Sequence, residues 1–208
     1  MTSEPIITRA CVLPAADRRE ILRYAGVRGS APEVEALLEQ CLRETEGQLS
    51  CKVCFRSFAI QERNGMLDLG FAVTDSTALQ KHLYGCSRIV VFAATVGQGI
   101  DRLIARYAAV SPTKALLFQA IGAERIECLC DLVSREIAGT QALAGNSVRA
   151  RFSPGYGDFP LEMQRAIFAV LDCPRQIGLT LNESLLMSPT KSVTAVIGIK
   201  KEENRSQV

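Results

Sequence analysis

Apolar positions recur along the chain at two spacings, and the switches between them mark the elements. Val34, Leu37, Leu38, Cys41 and Leu42 share one face at helical spacing. Ser30-Ala31-Pro32-Glu33 just before them places Ser at an N-cap, Pro near the helix start and Glu at the capping-box position, and Gly47 stops the helix at about Glu46. Asp17 caps a shorter helix over Arg18 to Ala25. Cys51 to Ile60 reads as a strand, Asn64-Gly65 as a hairpin turn and Met66 to Val73 as the returning strand. Ser76 caps a helix through Tyr84, stopped by Gly85.

Arg88 to Thr95 is almost wholly apolar, the pattern of a buried central strand. It runs through Val96-Gly97-Gln98-Gly99-Ile100-Asp101 into a helix that reaches about Ala109. After Pro112 a long helix is predicted from Thr113 to about Ala138, with Gly139 and Gly145-Asn146 marking the next loop. Val148 to Phe152 enters a Pro-Gly turn. Leu161 to Leu171 is helical, ended by Pro174. Leu179 to Leu181, Leu185 to Met187 and Ser192 to Ile199 read as strands, and Lys200 to Val208 is a polar tail. Helices and strands mix without a regular βα alternation, and the hairpin points to antiparallel pairing. The fold class expected is α+β, in one domain over residues 1–208.

The chain has 208 residues, 48% of them hydrophobic, which is enough for a sizeable core. Lys and Arg number 24 against 22 Asp and Glu, a near balance that argues against nucleic-acid binding. The N-terminus lacks the features of a signal peptide, and no apolar run reaches the roughly 20 residues of a membrane span, so a cytoplasmic, membrane-free protein is expected. The eight cysteines read as reduced thiols, mostly buried, rather than disulfides or a metal site. Cys51 and Cys54 form one CxxC, for which electron delivery stays open. Cys128 and Cys130, two apart on a helix, point roughly 200° apart and do not chelate one metal easily.

His82 is the single histidine, with no triad pattern around it, so hydrolase chemistry is disfavoured and no catalytic constellation is found. Gly97-Gln98-Gly99 follows a strand and opens a helix, the setting of a phosphate cradle, but it completes neither G-x-G-x-x-G nor a P-loop. A plain strand-to-helix turn is the simpler reading. Glu124, Glu127 and Asp131 lie on the long helix, with Glu127 and Asp131 four apart on one face, which by itself reads as solvated surface. Arg151-Phe152-Ser153-Pro154-Gly155-Tyr156 combines a forked cation, a turn that allows close approach to backbone, and an aromatic face.

That last stretch gains weight from a second one, Leu181-Asn182-Glu183-Ser184 through Met187-Ser188-Pro189 to Ser192-Val193. In this order the two resemble the S-adenosylmethionine-binding core of the activation domain of cobalamin-dependent methionine synthase. The resemblance is strongest over residues 146–199 and more diffuse over 88–138, where Phe92 to Gly97 is similar to a strand and Gly turn near the family's ligand cleft. It implies a mixed α+β domain around a twisted antiparallel sheet with flanking helices. It also implies roles: Arg151 contacting the ligand, Ser153 and Gly155 offering backbone groups, and Tyr156 lining the pocket. Glu127 is the acidic side chain expected to meet the ligand's ammonium, with Glu124 or Cys128 as the alternatives within alignment error, and Asp17 is a candidate for an N-terminal acidic contact. Gly157-Asp158-Phe159-Pro160 departs from the family pattern, and the chain ends at Val208 without the family's later aromatic-rich segment.

The function implied is reactivation of cobalamin-dependent methionine synthase in trans. S-adenosylmethionine and an electron donor such as a flavodoxin-like protein return oxidised cobalamin, carried by the partner, to its methylated form. Two other readings are an S-adenosylmethionine-dependent activator of another corrinoid methyltransferase, and a non-catalytic adaptor that has lost the ligand.

Overall fold

The computed structural model describes residues 4–29 and 32–202. Strand β1 (Ile7–Ala10) comes first, then helices α1 (Arg18–Tyr24) and α2 (Pro32–Thr45). Strand β2 (Lys52–Ala59) precedes the small strands β3 (Gln61–Arg63), β4 (Met66–Asp68) and β5 (Val73–Thr74), and the short helix α3 (Thr77–His82). Strand β6 (Arg88–Thr95), helix α4 (Gly99–Tyr107), helix α5 (Pro112–Leu143) and strand β7 (Asn146–Phe152) follow. Helices α6 (Met163–Leu171) and α7 (Cys173–Ile177), the small hairpin β8 (Thr180–Leu181) and β9 (Met187–Ser188), and strand β10 (Ser192–Lys201) complete the order.

Among the described residues the main sheet is five-stranded and antiparallel, in the order β1-β2-β6-β10-β7. Side chains alternate across it, so each strand feeds two cores. Val90, Phe92 and Ala94 of β6, with Ala195, Ile197 and Ile199 of β10, pack against α1, α2, α4 and α5. Ile89, Val91 and Ala93 of β6, with Val196 of β10, face α3, α6, α7 and the small sheet. A strand covered on both faces has no solvent side to mark with polar residues, hence the unbroken apolar run of β6. The α+β expectation and the antiparallel sheet agree with this architecture.

Several local expectations hold for clear reasons. The Asp17 carboxylate accepts from the Arg19 and Glu20 amides and so caps α1. Ser76 Oγ accepts from the Leu79 amide and caps α3. The N-cap assigned to Ser30 lies outside the described residues. Others are corrected. The Asn64-Gly65 turn is real, but it joins β3 to β4 in a separate three-stranded sheet instead of returning along β2. The strand predicted from Met66 to Val73 breaks at Gly70, where an added Cβ would lie 2.9 Å from the Ala59 carbonyl. Pro174 does not simply end α6: Asp172 takes a left-handed conformation and Pro174 sits in the first turn of α7. Helix α5 continues past Gly139 to Leu143.

Helix α5 is also the anchor of the N-terminal segment. Buried Arg125 pairs with Glu124 and donates to the carbonyls of Pro14 and Ala15, while Glu124 accepts from the Asp17 amide. These bonds satisfy an ion pair that would otherwise be costly at this depth. Among the described residues no helix is long and apolar enough to cross a membrane.

Candidate functional site

Strand β7 pairs with β10 only as far as Val196, opposite Phe152. Beyond that point the chain turns away, and Ser192 to Thr194 keep β6 on one side with no strand on the other among the described residues. The gap is a cavity of about 210 Å³ lined by Glu127, Arg151, Ser153, Pro154, Tyr156, Gln164, Met187 and Ser192 to Thr194. Four of the five predicted site residues thus meet at one place, together with residues of both sequence stretches.

One wall is charged. Arg151 pairs with Ile197 in the β7–β10 register and so points to the α5 side of the sheet. Its guanidinium donates to Asp131 Oδ1 at 2.7 Å and also pairs with Glu127. Glu127 and Asp131, one helical turn apart, clamp it from α5 as their spacing predicts. Of the alternatives for the acidic position, Glu124 is used in the buried pair with Arg125 and Cys128 does not line the cavity. Asp17 is spent on capping α1 and does not line it either.

The turn over the cavity is held from outside. The Gly155 amide donates to the Phe159 carbonyl at 2.8 Å, so that N–H serves the turn itself, and Gly155 does not line the cavity. Its φ of 93° suits glycine. Gly157 comes so close to α3 that a Cβ there would lie 2.8 Å from the Ala78 Cβ. Asp158 then accepts from the Ser76 hydroxyl at 2.5 Å, the Thr77 hydroxyl at 2.7 Å, and the amides of Thr77 and Ala78 at 2.9 and 3.0 Å. These bonds, led by the Ser76 hydroxyl, hold its carboxyl well below the usual carboxylate range. Gly157 and Asp158 therefore form a latch that fastens the turn to the start of α3. His82 adds a tie on the same side, its Nε2 lying 2.7 Å from the Ala150 carbonyl and its ring 4.9 Å from that of Phe152. Tyr156, 67% exposed, forms the outer lip.

The other end of the sequence stretch is fixed as well. Asp101, in the first turn of α4, accepts from the Thr190 amide at 3.0 Å and from its hydroxyl, which sets the turn leading into Ser192. Arg165 of α6 donates to the Glu183 carbonyl at 2.8 Å and positions the β8–β9 hairpin that carries Met187.

Two other candidates resolve differently. In the Gly97-Gln98-Gly99 loop a Cβ on Gly99 would lie 1.8 Å from the Gln48 carbonyl, and one on Gly97 would lie 3.0 Å from Ser50 Cβ. Protein backbone fills the space that a phosphate would need, so the loop is a strand-to-helix turn. Cys51 and Cys54 point to opposite faces of the sheet, one into each core. Burial pushes the Cys51 thiol up to about 11. The CxxC is therefore not arranged as a dithiol pair. Among the described residues no group of three or more His, Cys, Asp or Glu is placed to hold a metal ion.

Larger cavities lie elsewhere, one of about 560 Å³ beside Cys11 to Arg18 and α2, and one of about 520 Å³ between β1 and the C-terminal half of α5. Each holds an ion pair of its own, Arg125 with Glu124 in the first and Arg9 with Glu136 in the second. What singles out the Arg151 cavity is that residues of both sequence stretches line it.

Comparison with known proteins bears on the family and the fold. The model of the family described as "Vitamin B12 dependent methionine synthase, activation domain" matches residues 34–207. A solved structure, "Crystal Structure of the MetH Reactivation Domain bound to AdoHcy", is similar with a TM-score of 0.67 and 16% sequence identity, over 96% of this chain and 80% of that one. At that identity the likeness shows the fold. Among curated proteins no match is found.

Proposed function

The chain belongs to the vitamin B12-dependent methionine synthase activation-domain family, and from that premise we propose that it binds S-adenosylmethionine in the Arg151 cavity and presents it to cobalamin carried by a partner protein. The observation that carries this reading is the clamp of Arg151 between Glu127 and Asp131 at the mouth of that cavity. An α-amino acid brings a carboxylate and an ammonium together. Its carboxylate replaces Glu127 on the Arg151 fork, and its ammonium replaces Arg151 on Glu127, so no charge is left unpaired. A ligand of a single charge would strand one member of the clamp.

S-adenosylmethionine supplies a methyl group activated by its sulfonium charge. This chain's residues hold and orient it. The carboxylates of Glu127 and Asp131 and the face of Tyr156 favour a cation nearby. The Asp158 latch keeps the turn of Ser153 to Gly157 in place as the cavity fills. No side chain acts as acid or base, because the chain's contribution is position and exclusion of water. The reading takes residues 1–208 as one unit, a methionine synthase or related corrinoid protein as partner, and a flavodoxin-like protein as electron donor.

Titration calorimetry of the purified chain with S-adenosylmethionine tests it. Saturable 1:1 binding that Arg151→Ala weakens is the expected result. Equal affinity in the wild type and Arg151→Ala would overturn the site, and no binding by the wild type would overturn the ligand.

A further inference from the structure

The wall facing the charged clamp carries two side chains with no role so far. Gln164 is 6% exposed and Thr194 is 2% exposed, and both line the cavity. Among the described residues neither Gln164 Oε1 nor Thr194 Oγ1 has a hydrogen-bond partner. Their neighbour Ser192 shows the usual condition, its hydroxyl lying 2.8 Å from both Thr95 Oγ1 and the Pro189 carbonyl. Buried polar groups in folded proteins are paired in the large majority of cases, because an unpaired one keeps its desolvation cost with nothing in return. Arg9 Nε and Arg56 Nε beside β1 are unpaired too, but their guanidiniums bond through other nitrogens, whereas the side chains of Gln164 and Thr194 make no hydrogen bond among the described residues, which points to a partner that arrives from outside.

Their placement says which part of that partner they meet. Thr194 has the side-chain parity of Val196 and so faces the α6 side of the sheet, where Gln164 sits. Arg151, Glu127 and Asp131 lie on the α5 side. The cavity, at the end of β7, is where the two sides communicate. One wall therefore offers formal charges, and the opposite wall offers an amide that both donates and accepts and a hydroxyl that does the same. Resting on the function proposed above, we infer that Gln164 and Thr194 hydrogen-bond the neutral nucleoside half of the ligand, while the clamp holds its amino-acid half. A glutamine amide matches the donor–acceptor edge of adenine, and both side chains also match ribose hydroxyls.

Binding and thermal melting of three variants test this together. Gln164→Met and Thr194→Val keep volume and remove the polar groups, and Thr194→Ser keeps the hydroxyl. The probes are S-adenosylmethionine, 5′-methylthioadenosine, which lacks the amino-acid half, and methionine, which lacks the nucleoside. Gln164→Met and Thr194→Val should each weaken the two nucleoside probes by roughly three- to tenfold. They should leave methionine unaffected, and Thr194→Ser should retain wild-type affinity. The ligand-free melting temperature should hold or rise in the first two variants, since an unpaired buried polar group has been removed. 5′-Methylthioinosine locates the contact: a penalty that vanishes with it assigns the base edge, and one that persists assigns the ribose. Unchanged affinity for 5′-methylthioadenosine, with or without a fall in melting temperature, would overturn the inference while leaving the site reading intact. Failure of the wild type to bind S-adenosylmethionine would instead remove the reading on which it rests.

Discussion

The turn at Gly97 to Gly99 and the turn at Ser153 to Gly157 both follow a strand of the main sheet and both lead towards a helix, yet protein fills the first while the second opens on a cavity. In the first, the Gln48 carbonyl lies where any Cβ on Gly99 would have to go. In the second, a Cβ on Gly155 would meet only the Leu161 side chain, at 3.3 Å. Glycine in such a turn signals close approach. What does the approaching differs: the loop after α2 lays the Gln48 backbone on Gly99, whereas only the Leu161 side chain comes near Gly155.

Substitutions should separate the two turns cleanly. Gly99→Ala should have the largest effect, a loss of at least about 3 kcal/mol of stability from overpacking against backbone. At roughly 2–4 °C per kcal/mol for a chain of this size, melting followed by circular dichroism should fall by about 10 °C, with ligand affinity of the folded protein unchanged. Arg151→Ala should do the reverse. Loss of a charged, forked contact should reduce S-adenosylmethionine affinity by about 2–3 kcal/mol, or roughly 30- to 150-fold in calorimetry. Its melting temperature should stay within a few degrees, since the paired carboxylates are 43% and 62% exposed and such pairs contribute little. A Gly99→Ala protein that melts like the wild type, or an Arg151→Ala protein that merely unfolds, would break the contrast.

Glu127→Gln sharpens it within the open site. Affinity for S-adenosylmethionine should fall about tenfold, and affinity for 5′-methylthioadenosine, which has no ammonium, should not change. The smallest effect is expected from Asp158→Asn. The folded-state pKa of Asp158 is depressed, so its contribution is present above the unfolded value of about 3.9 and is lost as pH falls through the lower folded value. The melting difference between wild type and Asp158→Asn should be constant from neutral pH to about pH 5 and shrink below about pH 4. A difference that peaks in acid would contradict the latch.

How much of this is legible in the residues depends on whether the signal is local. Strand β6 declares itself by its apolar run, and α1 and α3 by caps that bond within three residues. The Arg151 turn and the Glu127–Asp131 spacing are also local, but the pairing of Arg151 with those two carboxylates joins β7 to α5 and is not legible in either stretch. Strand β1 was not anticipated, because Ile7 to Ala10 is a four-residue edge strand, mostly exposed, with no alternation to reveal it. Gly139 suggests a helix end, yet it does not take the left-handed backbone with which glycine stops a helix, and α5 runs on to Leu143. Gln164 and Thr194 carry no local signal at all. Only the packing of α6 beside β10 brings them to one cavity, and no spacing along the chain encodes that.

The strand order has a consequence for how the protein comes into being. Strand β10 lies between β6 and β7, although about a hundred residues separate Thr95 from its partner Ser192. Pairings of such long sequence separation form late and slowly, because a large loop must close before any contact is gained. During synthesis β6 and β7 must therefore wait, each with an unpaired edge, until residues 192–201 emerge. The segment that closes the sheet is also the one that lines the cavity, so a nascent chain has no pocket until its sheet is whole.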